Sequence, residues 1–208
     1  MTDPSYTALL LIIDRSGSMA SIRDDMVGGL TTMLAEQAAA PGRLTVDVVT
    51  FDDEIETKHT MAPVAEVTIA LEPRGMTALH DAVGISTVRF GASLAAMAED
   101  DRPDIVQVVV VTDGGENSSH EYTADAVRAL VTLQTEKYGW DFVFLGANQD
   151  AVLTGAELGF AADNSMTFLA AGEAVDSMSL SLGRYVSSVR GKDKKGFTAA
   201  ERDAAGAK

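Results

Sequence analysis

Apolar residues fall in two kinds of pattern along this chain, and the two alternate. Residues 7–13 are almost continuously apolar, with Leu9, Leu10, Leu11, Ile12 and Ile13 in an unbroken row, as in a strand buried on both faces. From about Ser21 the spacing changes. Ile22, Met26, Leu30, Met33 and Leu34 recur every three or four positions, which predicts a helix that Pro41-Gly42 ends. Residues 44–51 form a second strand. Asp52-Asp53 turns the chain into a third at 55–59, and so short a connection requires an antiparallel hairpin. A loop runs to Gly75. A helix from about Ala78 carries Leu79, Val83 and Ile85, then Val88, and ends before Pro103. Residues 105–112 are the next strand, and Thr123 caps a helix bearing Val127, Leu130 and Val131. A strand at 141–146, a short helix near 150–158 and a weak strand at 166–169 follow. Val175, Met178, Leu182, Val186 and Val189 then mark a long amphipathic helix.

This alternation predicts an α/β fold. The expected architecture is a Rossmann-like, doubly wound, mainly parallel six-stranded sheet with one antiparallel edge strand and helices on both faces. In such folds the ligand crevice lies beyond the strand C-termini, where the strand order reverses. Residues 1–190 read as one domain. Residues 191–208 differ, with Lys192, Lys194 and Lys195 clustered and Thr198-Ala199-Ala200-Glu201 at capping-box spacing. They read as a loose C-terminal tail with a short helix, or as a docking peptide for a partner.

Charge narrows the partners. The chain of 208 residues carries 16 Lys and Arg against 31 Asp and Glu, a formal net charge of −15. That disfavours nucleic acid, whose binding rests on neutralising phosphates, and anionic membrane surfaces. There is no cysteine, so thiolate metal sites and disulfides are excluded; this agrees with a reducing compartment and a cytoplasmic location. The first seven residues lack a basic segment followed by an apolar one, so no signal peptide is expected, and no apolar run is long enough to span a bilayer.

The candidate chemistry sits where strands end. The first strand runs into Asp14-Arg15-Ser16-Gly17-Ser18, which offers one carboxylate and two hydroxyls on a short loop. The strand at 105–112 runs into Asp113-Gly114-Gly115, and between them in sequence Gly75-Met76-Thr77-Ala78-Leu79 puts a threonine at a loop-to-helix junction. Oxygen donors of this kind suit a hard divalent cation such as Mg²⁺. The order D-x-S-x-S, then Thr in G-x-T-A-L, then Asp in T-D-G resembles the von Willebrand factor A (VWA) domain. The resemblance runs from about Tyr6 to about Val189. It implies a metal-ion-dependent adhesion site with all five positions filled: Asp14, Ser16, Ser18, Thr77 and Asp113. It further implies Mg²⁺ or Mn²⁺ as the ion, and a protein partner that presents Asp or Glu to it. Thr77 is the position the resemblance expects to join the metal directly once a ligand is bound.

The chemistry of the donors supports capture of an anion. Hydroxyls do not quench a dication as carboxylates do, so the ion stays electrophilic toward an outside carboxylate. Gly114 and Gly115 suit a turn. Glu116, Asn117, Arg15 and Met19 fall on the rim of the site, as partner-selecting or merely solvated residues. His80 reads as a packed or hydrogen-bonded histidine, because imidazole suits softer metals. His59 and His120 are isolated. Met26 and Met33 belong to the core.

Two other function classes compete with a binding module. A Mg²⁺-dependent hydrolase or phosphotransferase would place a second carboxylate two residues after the strand-end aspartate, where this chain has Ser16. A structural subunit of a larger complex would use the metal only for stability. No G-x-G-x-x-G follows the first strand, so dinucleotide binding is not indicated, and no catalytic activity is expected.

Overall fold

The structure is a computed structural model that describes residues 3–206. Six strands form a single sheet: β1 (Asp3–Asp14), β2 (Arg43–Phe51), β3 (Ile55–Pro63), β4 (Pro103–Thr112), β5 (Asp141–Ala147) and β6 (Ser165–Phe168). Their order across the sheet is β3-β2-β1-β4-β5-β6. All neighbours are parallel except β2 and β3, the expected edge hairpin. The α helices are α1 (Arg23–Ala39), α2 (Leu79–Ala95), α3 (Ala124–Tyr138), α4 (Ala151–Glu157), α5 (Gly172–Arg190) and α6 (Ala199–Ala204). The fold class expected from the periodicity is the one observed.

Alternation along β1 builds two cores. Leu9, Leu11 and Ile13 face one layer with α1 and α5, whereas Ala8, Leu10 and Ile12 face the other with α2 and α3. Burial on both faces explains why β1 lacks the apolar–polar alternation of a one-sided strand. The chain leaves β1 toward β2 in one direction and later returns to β4 on the other side. The strand order therefore reverses between β1 and β4, and the register pairs Ile13 with Val111 there. Asp14 and Asp113 leave adjacent strands at this switch point.

Several boundaries differ from expectation, each for a local reason. The helix expected from Ser21 begins at Arg23, because Gly17–Ser21 forms a 3₁₀ turn in which the Met19 N–H donates to the Ser16 carbonyl. Val88 lies on the exposed side of α2. The segment from 191 is not loose through residue 206. Phe197 is buried and stacks on Tyr185 at 5.1 Å between ring centroids. Arg184 Nη2 donates to Glu201 Oε2 at 2.8 Å, and the Leu169 N–H donates to the Ala205 carbonyl at 2.9 Å. The short helix is present as α6, with Thr198 and Glu201 making the predicted reciprocal cap. No helix among the described residues is long and apolar enough to cross a membrane.

Candidate metal-binding site

The β1–α1 loop is shaped first by its own aspartate. Asp14 is fully buried. Its Oδ1 accepts the Ser16 N–H at 2.6 Å, which folds the loop back over the strand end. Its Oδ2 accepts the Thr112 hydroxyl from β4 at 2.6 Å, tying the two strand ends together. Burial pushes the Asp14 carboxyl up to about 6, against the opposing pull of these two donors; the nearby Asp113 adds to the rise. Among the described residues no cation pairs with it.

Three distant segments meet in front of Asp14. The Ser18 hydroxyl donates to Asp113 Oδ1 at 2.7 Å, and Ser16 Oγ lies 3.1 Å from Ser18 Oγ. Burial raises the Asp113 carboxyl, while the Ser18 hydroxyl lowers it. Thr77 approaches from the third side. A Cβ placed on Gly114 would stand 3.1 Å from Thr77 Oγ1 and 3.7 Å from Ser18 Oγ, so a side chain there would crowd the hydroxyls. Gly114 is thus the residue that leaves this cradle open, beyond its role in the turn. The five sequence-predicted positions lie together at one end of the sheet, linked by these contacts. Among the described residues no three His, Cys, Asp or Glu side chains cluster as metal ligands; the oxygens gathered here are mainly hydroxyls.

The rim is more tightly bound than the sequence suggests. Asn117 Oδ1 accepts the Thr77 N–H at 2.8 Å, and the Asn117 N–H donates to the Thr77 carbonyl at 3.0 Å. Glu116 accepts the Ser119 hydroxyl and the N–H groups of His80, Ser118 and Ser119, and these bonds, the hydroxyl first, hold its carboxyl below the usual range despite partial burial. It caps α2 as well as its own loop. Asp81 on α2 accepts three N–H groups from His120, Glu121 and Tyr122. Glu116 and Asn117 therefore fasten the β4–α3 loop to the Thr77 loop. Arg15 and Met19 are buried rather than rim residues. His80 packs near Glu116, with Nδ1 3.7 Å from Oε2.

Sequence reasoning did not single out Thr112 or Asp52. Thr112 reads as the last residue of a strand, and only the β1–β4 register shows that its hydroxyl meets Asp14. Asp52 reads as a turn residue, yet its carboxylate is buried and holds two arginines.

No protein-family model matches the sequence, and no curated protein matches it. Solved structures do match. Proximal thread matrix protein 1 from the mussel byssus is 13% identical, with a TM-score of 0.60 over 87% of this chain and 46% of that one. A von Willebrand factor type A protein from Catenulispora acidiphila is 18% identical, with a TM-score of 0.56 over 87% of this chain and 42% of the other. The fold is that of a VWA domain. The pilus adhesin SpaC from Lactobacillus rhamnosus GG shares it at 14% identity and a TM-score of 0.63, over 86% of this chain and 30% of the adhesin. One structure of the mussel protein, 14% identical with a TM-score of 0.59 over 88% of this chain and 46% of that one, has zinc in its metal-ion-dependent adhesion motif. The present chain thus spans less than half the length of these VWA-fold proteins.

Proposed function

We propose that this chain is a non-enzymatic, metal-dependent protein-binding module of the adhesion type. The observation that carries the reading is the contact of the Ser18 hydroxyl with Asp113, 95 residues away, beside the hydroxyls of Ser16 and Thr77. The donor set fits a hard divalent cation, Mg²⁺ or Mn²⁺. Ser16, Ser18 and Thr77 would hold it, with Asp14 and Asp113 bound directly or through water. A bound ion would supply an electrophilic point for an Asp or Glu of another protein. The buried Asp14, with no cation beside it among the described residues, supports the fit, because a dication stabilises the charged carboxylate that burial disfavours. The zinc-bound motif of the mussel protein supports divalent metal binding by this fold.

The deciding experiment is calorimetric titration of Mn²⁺ and Mg²⁺ into the protein and into Asp113→Ala, followed by affinity capture of partners in Mg²⁺ and elution with chelator. Metal binding lost in the variant, and chelator-dependent release without unfolding, are the expected results. Equal affinity in the two proteins would refute the metal assignment. Turnover of phosphate esters, nucleotides or peptides that Asp14→Asn abolishes would move the chain to the hydrolase class.

A further inference from the structure

Thr77 belongs to a stretch, residues 67–78, that has no regular secondary structure. Something else must hold its hydroxyl in register with Ser16 and Ser18. On one side this is Asn117. On the other it is the β2–β3 turn. The Ala78 N–H donates to the Asp52 carbonyl at 2.8 Å, the Arg74 N–H to the Arg15 carbonyl at 2.8 Å, and the Gly17 N–H to the Gly75 carbonyl at 3.3 Å. Gly75 is left-handed, at φ +66°, which glycine adopts without strain, and a Cβ there would meet Asp53 Oδ1 at 2.0 Å and push that side chain aside.

At the centre of this junction is one buried carboxylate. Asp52 Oδ2 accepts Arg15 Nε at 3.1 Å and Arg74 Nε at 2.8 Å; Oδ1 accepts Arg15 Nη2 at 3.3 Å and the Glu54 N–H at 2.6 Å. Arg15 Nη1 also meets Glu56 at 2.8 Å, and Arg74 Nη2 meets Glu54 at 2.9 Å. Despite its burial, these donors hold the Asp52 carboxyl below its ordinary range. Arg15 stands between Asp14 and Ser16 in the chain, and Arg74 stands three residues before Thr77. A single carboxylate thus clamps a neighbour of each of two hydroxyl-bearing loops. Guanidinium groups suit this task, because their planar fork fixes direction as well as distance.

We propose that Arg15, Asp52 and Arg74 are positioning residues that set the spacing between the Ser16–Ser18 hydroxyls and Thr77, and through it the affinity and ion preference of the site. This rests on the metal-binding reading above. Mg²⁺ and Mn²⁺ demand near-octahedral geometry at short distance, whereas Ca²⁺ accepts longer and more irregular coordination. Loosening the junction therefore penalises the small ions more than Ca²⁺. A residue that mattered only for folding would not shift this ratio.

The test compares the wild type with Arg74→Gln and Asp52→Asn in calorimetric titrations of Mg²⁺, Mn²⁺ and Ca²⁺, with thermal unfolding in chelator beside them. Arg74 is half exposed and its loss leaves the Arg15–Asp52 pair in place, so Arg74→Gln keeps the test decisive even if Asp52→Asn fails to fold. The expected result is a fall of about tenfold in Mg²⁺ and Mn²⁺ affinity for Arg74→Gln, of the size typical for residues that orient metal ligands, with a smaller fall for Ca²⁺. Unchanged affinities, or an equal fall for all three ions, would overturn the positioning role. A wild type that binds none of them would instead overturn the metal-binding reading itself.

Discussion

Two buried aspartates, at opposite ends of the sheet, have opposite surroundings. Asp141 opens β5. It accepts Gln107 Nε2 at 3.1 Å, Asn164 Nδ2 at 3.2 Å, the Tyr185 hydroxyl at 2.9 Å and Lys194 Nζ at 2.6 Å. Those donors come from β4, from the turn before β6, from α5 and from the C-terminal segment, so one carboxylate ties four parts of the chain together. Asp14 closes β1 and accepts the Thr112 hydroxyl and the Ser16 N–H and hydroxyl, with no cation beside it among the described residues. The first carboxylate is completed by the fold. The second is held in place by hydrogen bonds, with no cation among the described residues to balance its charge.

That contrast can be broken most forcefully at Asp141. Asp141→Ala strands three buried or half-buried donors and the Lys194 charge, and should destabilise the domain by about 3–4 kcal/mol. Its Mn²⁺ affinity, measured where the protein is still folded, should be unchanged. A large loss of affinity would mean that the two ends are not independent.

The Asp14 end predicts a pH dependence of defined sign. Its folded carboxyl titrates near 6, above the ordinary 3.8, so the folded state holds the proton more tightly than the unfolded state. The resulting stabilisation is fully present below about pH 4 and disappears as pH rises through about 6, a loss of about 3 kcal/mol from this group. Denaturation curves in chelator, taken as the difference between wild type and Asp14→Asn, should show the fall, and excess Mg²⁺ should flatten it. A flat difference curve in chelator contradicts an uncompensated Asp14.

The same reasoning gives the two aspartates substitutions of opposite sign. In chelator at pH 7, Asp14→Asn should raise stability by up to about 2–3 kcal/mol while removing metal binding. A destabilised Asp14→Asn would place this residue with Asp141 among the structural hubs. The smallest effect belongs to the C-terminal segment. Thr198→Ala removes the α6 cap and should cost about 1 kcal/mol, read from the unfolding midpoint, without altering Mn²⁺ affinity.

The strands were legible because burial on both faces writes itself as unbroken apolar runs, and the helices because α1 and α5 keep one apolar stripe. The hairpin followed from the two residues between 51 and 54. The five oxygens were legible as a motif, since each follows a strand end or precedes a helix. What could not be read were contacts whose partners lie far apart in sequence and carry no periodic signal. Asp52 looks like any turn aspartate until Arg15 and Arg74 are brought to it. Glu116 looks like a solvated loop residue until the N-terminus of α2 supplies donors. Phe197 is a lone aromatic in a polar stretch, and only the position of Tyr185 shows why that stretch packs.

The return path of the C-terminal segment has a practical use. Ala205 bonds to Leu169 just past β6, at the end of the sheet that carries the candidate site, two strands or roughly 10 Å from β4. Asp101 precedes β4 at the other end, separated from Asp113 by a ten-residue strand, roughly 33 Å long. Both Ala204 and Asp101 are exposed, and the chain has no cysteine of its own. A thiol introduced at either position is therefore the sole attachment point for a dye. A fluorophore at Ala204→Cys would lie at the candidate-site end of the domain, and one at Asp101→Cys far from it, so a matched pair of labelled proteins would report which face a partner occupies.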